Sequence, residues 1–266
     1  MNILDEIIAY KRKEVEERKS LYPVKLLENS IYFSTLPVSM KKYIRREDKT
    51  GIIAEFKRKS PSKGIINAHA PVERTSIGYM QAGASALSVL TDKPSFGGSS
   101  EDLMTARKFN FCPIIRKDFT IDEYQVVEAK SIGADAILLI AAVLAPQQSK
   151  TLAAFARSFG MEVLLEVHDE EELKQNLEVG ADLIGVNNRN LKTFEVSIDV
   201  SKRLAPMIPD SVVKVSESGI SSADTIIELR KHGYQGFLMG ENFMKHSRPE
   251  RAAMEFMDEL RRKSVQ

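Results

Sequence analysis

Five charged side chains sit where apolar runs would otherwise continue. Glu55 and Lys57 close a run that begins at Gly51, Lys117 ends Pro113–Lys117, Glu166 lies inside Val163–Val167, and Glu217 follows Val212–Ser216. An ionised carboxylate in an apolar strand pays a desolvation penalty unless it is paired, hydrated or functional. Lysines and carboxylates gathered at one place suit acid–base chemistry, because an ammonium can protonate an oxygen and a carboxylate can accept a proton. A structural ion-pair network would use the same residue types. Asn187, at the end of Leu183–Asn187, and Arg189 just beyond it add further polar groups.

A second set is punctuated by glycine. Ser218-Gly219 follows the seventh run and Gly240-Glu241 the eighth. Glycine lets an anion approach backbone N–H groups closely, so the two loops together suggest a phosphate seat; plain turns are the alternative. Lys57-Arg-Lys-Ser-Pro-Ser-Lys-Gly64 carries four cations in eight residues and predicts a loop. That loop is either solvated or captures an anion through Lys57 with help from Ser60. His69, His168, His232 and His246 lack metal-ligand spacing and are expected to be surface or packing residues. Cys112, the lone cysteine, reads as a packing residue. One cysteine excludes an internal disulfide and a cysteine-built metal cluster, and it suits a reducing compartment.

Eight short runs could position these groups. They are Gly51–Phe56, Ala86–Thr91, Pro113–Lys117, Ala136–Ile140, Val163–Val167, Leu183–Asn187, Val212–Ser216 and Gly236–Met239. Most are continuously apolar, as in strands covered on both faces. Stretches of helical composition such as Asp122–Ser131, Pro146–Phe159 and Asp169–Val179 separate them. Strand–helix alternation without hairpins predicts a parallel sheet. Gly83, Gly133, Gly180 and Gly233 recur between a helix and a strand, two βα units apart, which makes eight units. Eight units close a (β/α)8 TIM barrel; an open doubly wound sheet is the alternative, although no strand runs into a G-x-G-x-x-G turn. In the barrel the site lies at the C-terminal strand ends and alternate strands share layers. Glu55, Lys57, Lys117, Glu166 and Glu217 all come from odd strands and should converge.

Residues 1–50 precede the barrel, assigned to 51–266. Leu4, Ile7, Ile8 and Val15 form an apolar helical stripe, and Met40–Arg46 predicts a second, basic helix. The segment is expected to be a cap, or more specifically a lid over one mouth. Met254, Phe256 and Met257 predict the core face of the last helix. The length of 266 residues fits one such barrel, and 43% apolar content excludes a disordered chain. With 38 basic and 37 acidic residues, net +1, the chain lacks the footprint of a nucleic-acid or membrane-surface binder. Its longest apolar run, Ala136–Ala145, is half the roughly 20 residues of a membrane span. The charged N-terminus has no signal core. A cytoplasmic enzyme is expected.

The first block, Ile52-Ile-Ala-Glu-Phe-Lys-Arg-Lys-Ser-Pro-Ser62, resembles the E-x-K-x-x-S-P-S signature of the indole-3-glycerol phosphate synthases. Ser88–Asp92, Phe96–Gly98, Arg116–Phe119, Leu165–His168, Gly185–Leu191, Ser216–Ile220 and Met239–Glu241 extend the likeness through all eight strands in order. Asn190 stands where the family often has Asp, and Ser216 where it often has Ala. The resemblance implies a TIM barrel whose N-terminal segment caps the catalytic mouth. It also implies closure of the indole ring of 1-(2-carboxyphenylamino)-1-deoxyribulose 5-phosphate, releasing CO2 and water in tryptophan biosynthesis. By resemblance Lys117 is the general acid, and Glu166 the general base or charge stabiliser with Glu55 beside it. Lys57 holds the substrate carboxylate, and Asn187 and Arg189 orient the anthranilate end. Ser60 and Glu217 support the substrate, and Ser218, Gly219, Gly240 and Glu241 seat the phosphate. The division of labour between Lys57, Lys117, Glu55 and Glu166 stays open.

No metal or organic cofactor is implied, nor a nucleic-acid or membrane partner. A monomer is expected, with a dimer left open. Two other readings remain. Phosphoribosylanthranilate isomerases, a related phosphosugar barrel, use a Cys on strand 1 and an Asp on strand 5, where this chain has Glu55 and Glu166. A catalytically silent barrel would be expected to lack one of the lysines or carboxylates, and none is missing.

Overall fold

The computed structural model of the protein describes residues 3–191 and 193–264. Eight parallel strands close a barrel in sequential order. They are β1 (Ile52–Phe56), β2 (Ala86–Leu90), β3 (Ile114–Lys117), β4 (Ala136–Ile140), β5 (Glu162–Val167), β6 (Leu183–Asn187), β7 (Val213–Glu217) and β8 (Gly236–Met239). β1 pairs with both β2 and β8, so the sheet has no free edge. The open doubly wound alternative is thereby excluded. The predicted strand bounds hold to within one residue.

Side-chain alternation splits the core in two. Ile53, Ala86, Ile115, Ala136, Leu138, Leu164, Leu183, Val213, Val215 and Leu238 fill the barrel. Their neighbours one residue away, such as Ile52, Leu87, Ile114, Leu165 and Phe237, pack against the surrounding helices. This is why the runs read as continuously apolar: both faces are covered. The helices start at side-chain caps, with Ser99, Asp122, Asp169 and Ser222 each accepting a backbone N–H. Gly83, Gly133, Gly180 and Gly233 all adopt left-handed φ between 79° and 105°, which bears out their role as helix stops.

The N-terminal segment is not one cap but two closures. Helix α1 (Ile3–Leu21) lies across the C-terminal strand ends. There its buried Lys11 ammonium sits 2.9 Å from both Asp92, after β2, and Asp118, after β3. Tyr10 Oη also donates to Asp92, at 2.7 Å. The short helix Met40–Ile44 closes the opposite end, packing Met40 and Ile44 onto the lowest barrel layer. Ser39 Oγ donates to Glu162 and Lys41 pairs with Asp182, both at N-terminal strand ends. The expected single lid thus covers only half of what the segment does. Of the assigned bounds, residues 1, 2, 265 and 266, and Lys192 within the barrel, lie outside the described residues.

Two smaller expectations need correcting. Met254 is exposed, and only Phe256 and Met257 face the core, because the last helix, Pro249–Ser264, turns Met254 outward. The basic loop after β1 contains a short antiparallel hairpin, Lys59–Ser60 with Gly64–Ile65, rather than irregular chain. Among the described residues no helix is long and apolar enough to cross a membrane.

Candidate active site

A cavity of about 420 Å³ opens at the C-terminal ends of the strands, beneath α1. Its wall is apolar where Leu4 and Ile7 of α1 meet Phe96, Phe119, Leu138 and Ile140. Its floor carries Glu55, Lys57, Lys117, Glu166, Asn187 and Glu217. Lys117 Nζ lies 3.2 Å from Glu166 Oε2 and 3.9 Å from Glu217 Oε2. Lys57 Nζ lies 2.7 Å from Glu55 Oε1, and Ser88 donates to Glu55 Oε2 at 3.2 Å. The predicted convergence of groups from odd strands is therefore present.

Burial and charge set these groups apart. Burial alone would lower the affinity of Lys117 for its proton, but the Glu166, Glu217 and Glu55 carboxylates outweigh it and raise the pKa. Burial opposes ionisation of Glu166; Lys117 and His168, with a hydrogen bond from Asn187, override it and hold the carboxyl well below its usual range. Glu55 is lowered too, by Lys57 and Lys117 acting against burial. Glu217 goes the other way: burial, then the neighbouring Glu166 carboxylate, push it up to about 8. One buried pair thus holds an ionised carboxylate beside a protonated one, as sites for proton transfer do.

The remaining predicted residues also reach the cavity. Ser60 lines it with Pro61 and Ser62, and Ser218, Gly219, Gly240 and Glu241 form its far corner with Lys245. Ser218 and Gly219 are consecutive left-handed residues, at φ 67° and 75°. Asn188 fixes this turn by donating to Ser218 O at 3.0 Å and to Ser216 Oγ at 2.9 Å. Gly240 is needed for a reason the sequence did not suggest: a Cβ there would stand 2.7 Å from Glu55 Oε1. The Glu241 carboxylate turns to Lys63 at 3.6 Å and Arg189 at 3.7 Å.

Asn187 donates to Glu166 Oε1 at 3.0 Å, so it orients the carboxylate. Arg189 reaches Glu241, beside the glycine corner. Of the basic loop, Lys57 points into the cavity, whereas Arg58 pairs with Asp102 and stacks on Phe56. His69, His232 and His246 are exposed as expected. His168 is not an ordinary residue, since its ring lies between Glu166 and Glu172. Its sequence signal was its place two residues after Glu166, on the same face of the chain. Cys112 is buried and its thiol is pushed up to about 12, in keeping with packing. Among the described residues no group of three or more His, Cys, Asp or Glu is arranged to hold a metal.

Gly185 was also missed, although a glycine inside a strand is itself a signal of close approach. A Cβ at Gly185 would run into Glu217 Oε1. Gly185→Ala is therefore expected to displace the Glu217 carboxyl and lower kcat at least about 10-fold, in line with the cost of small misplacements. The clash also predicts a Tm drop from an overpacking cost of about 1–3 kcal/mol. Steady-state kinetics and a thermal melt check both; wild-type kinetics would refute the steric argument.

The family model described as "Indole-3-glycerol phosphate synthase" matches residues 4–256. A Bacteroides thetaiotaomicron protein of that name is 49% identical over 256 residues, covering 96% of this chain and 98% of its own. The Nautilia profundicola protein of that name is 43% identical, covering 95% and 97%. Solved structures at low identity share the fold. A thiamine phosphate pyrophosphorylase from Pyrococcus furiosus aligns with TM-score 0.61 at 15% identity, covering 84% of this chain and 98% of its own. A chain of the tryptophan synthase complex from the same organism gives 0.58 at 16%, covering 80% and 98%.

Proposed function

The chain belongs to the indole-3-glycerol phosphate synthase family, and on that premise we propose how its residues divide the reaction. The activity is ring closure of 1-(2-carboxyphenylamino)-1-deoxyribulose 5-phosphate to indole-3-glycerol phosphate, CO2 and water, a step of tryptophan biosynthesis. The observation that carries the division is Lys117, a buried ammonium between Glu166 and Glu217 on the floor of the cavity.

The aromatic ring of the substrate rests on the apolar wall of Phe96, Phe119, Leu138 and Ile140 with Leu4 and Ile7 above it. The ring carbon bearing the carboxylate attacks the ketone, and Lys117 gives a proton to the oxygen as it becomes negative. The carboxylate leaves as CO2, and its electron pair restores the aromatic ring. Lys57, which first holds that carboxylate, protonates the departing hydroxyl. Glu166 takes a proton from the methylene carbon beside the nitrogen, so the double bond of the five-membered ring forms as the hydroxyl leaves and the N–H stays in place. Two protons are given and one is taken, which matches the single proton the overall decarboxylation consumes. Glu55 holds Lys57, Asn187 holds Glu166, and Glu217 and Ser60 line the substrate. Arg189 contributes charge from the glycine corner, where Ser218, Gly219, Gly240 and Glu241 receive the phosphate through backbone N–H groups.

No step needs a metal or an organic cofactor. Purified protein with chelator present should therefore convert this substrate to an indole, followed by absorbance and fluorescence. Absence of indole at any protein concentration would refute the reading. A reducing, cytoplasmic setting fits the single buried thiol.

The phosphate corner has its own test. Ser218→Asp adds a negative charge beside the phosphate, so KM should rise more than kcat falls. An unaltered KM would move the phosphate elsewhere.

A further inference from the structure

His168 follows the last residue of β5, and its side chain is 9% exposed. Its Nε2 lies 3.2 Å from Glu166 Oε1, at ion-pair distance although the N–H is not aimed straight at that oxygen. On its other side, Nδ1 lies 3.1 Å from Glu172 Oε2. That same oxygen accepts the His168 backbone N–H at 2.8 Å. Glu172 is in turn fixed: it occupies the first turn of helix Glu170–Asn176, and its own N–H donates to the capping Asp169 at 2.9 Å. A single carboxylate thus clamps both the ring and the backbone of His168, and the ring turns its far nitrogen towards Glu166. This is the arrangement by which a carboxylate orients an imidazole, which then orients a third group.

We propose that His168, clamped by Glu172, is a positioning residue that fixes the Glu166 carboxylate for proton transfer and balances its charge. The proposal rests on the reading of Glu166 as the general base. Glu166 then has three fixed neighbours: Lys117 on Oε2, and Asn187 and His168 on Oε1. A carboxylate held at both oxygens has one orientation in which to meet the substrate.

The groups facing this unit are Lys117 from β3, Glu217 from β7, Glu172 from the following helix and, further across, Glu55 from β1. Burial would lower the His168 pKa, but Glu166 and Glu172 together raise it to about 10, so the ring is an imidazolium at neutral pH. Removing that cation should raise the pKa of Glu166, because a positive neighbour favours the ionised carboxylate. The acid limb of the kcat profile should accordingly move to higher pH.

The test compares His168→Ala, His168→Gln, Glu172→Gln, Glu166→Gln and the double variant His168→Ala/Glu166→Gln. His168→Ala is expected to lower kcat about 10- to 100-fold, the usual scale for a group supporting a reactive one. KM should change little, and the acid limb should rise. His168→Gln keeps a donor without the charge, so it should recover part of kcat and leave the acid limb raised. Glu172→Gln should shift both in the same direction by less. The double variant should be no slower than Glu166→Gln, as expected when one residue acts through the other. An unchanged kcat and acid limb in His168→Ala and His168→Gln would overturn the proposal, as would a double variant slowed by the full product of the single effects. A His168→Ala that does not fold leaves His168→Gln and Glu172→Gln to decide by the same pH profile. Full turnover in Glu166→Gln would instead refute the base assignment, a separate failure visible in its own arm.

Discussion

Lys117→Ala is expected to lower kcat by about 10²- to 10⁴-fold, the range that loss of a placed general acid costs. Two effects add. The proposed proton donor to the ketone oxygen is gone. The carboxylates of Glu166 and Glu55 also lose a cation that holds their pKa values down, so both drift towards the neutral form. In the proposed order of events the acid acts before carboxylate loss. Single-turnover measurements should then find neither CO2 nor indole on the wild-type timescale. KM should move less, since the contacts proposed for Lys57 with the carboxylate and for the glycine corner with the phosphate remain. Unchanged turnover, or CO2 release that persists at the wild-type rate, would refute the role of Lys117.

Glu166→Gln should cost a similar 10²- to 10⁴-fold in steady-state kcat, about the range for a general base, but it should stop the reaction later. In the proposed order, ring closure and decarboxylation do not require the base. CO2 should therefore appear in a single turnover while the indole chromophore does not. The variant also removes the negative charge that helps raise Glu217. Burial remains, so the Glu217 carboxyl should titrate below the value of about 8 in the wild type but above an ordinary glutamate. A pH titration of the folded variant checks the sign. Loss of CO2 release together with indole would place Glu166 before decarboxylation and overturn the assigned order.

Much of this was legible in the chain. The eight strands, their order and the four glycine helix stops follow from continuous apolar runs and regular spacing, because a buried parallel strand has little freedom of composition. Lys57, Lys117, Glu55, Glu166 and Glu217 stood out for the same reason: charge at the end of a buried strand needs a physical explanation. The neighbours that set their behaviour did not stand out. Gly185 and Gly240 make room for Glu217 and Glu55 from adjacent strands, and that relation exists only once the barrel closes. Asn187 also donates to Glu166, a contact that exists only once β5 and β6 lie side by side. Lys11 lay in an ordinary charged helix, yet it is fully buried between Asp92 and Asp118 and pins that helix over the mouth.

By itself the sequence determined which elements form and which face each charged residue takes, because alternation and burial are local rules. Only the tertiary structure decided which charges meet, and with them the direction of each pKa. Glu166 and Glu217 are the same residue type on two similar apolar strands. Lys117, His168 and Asn187 surround one of them, whereas the other keeps an unpartnered oxygen against the Gly185 backbone. Coulombic energy depends on distance and dielectric, and neither is written along the chain.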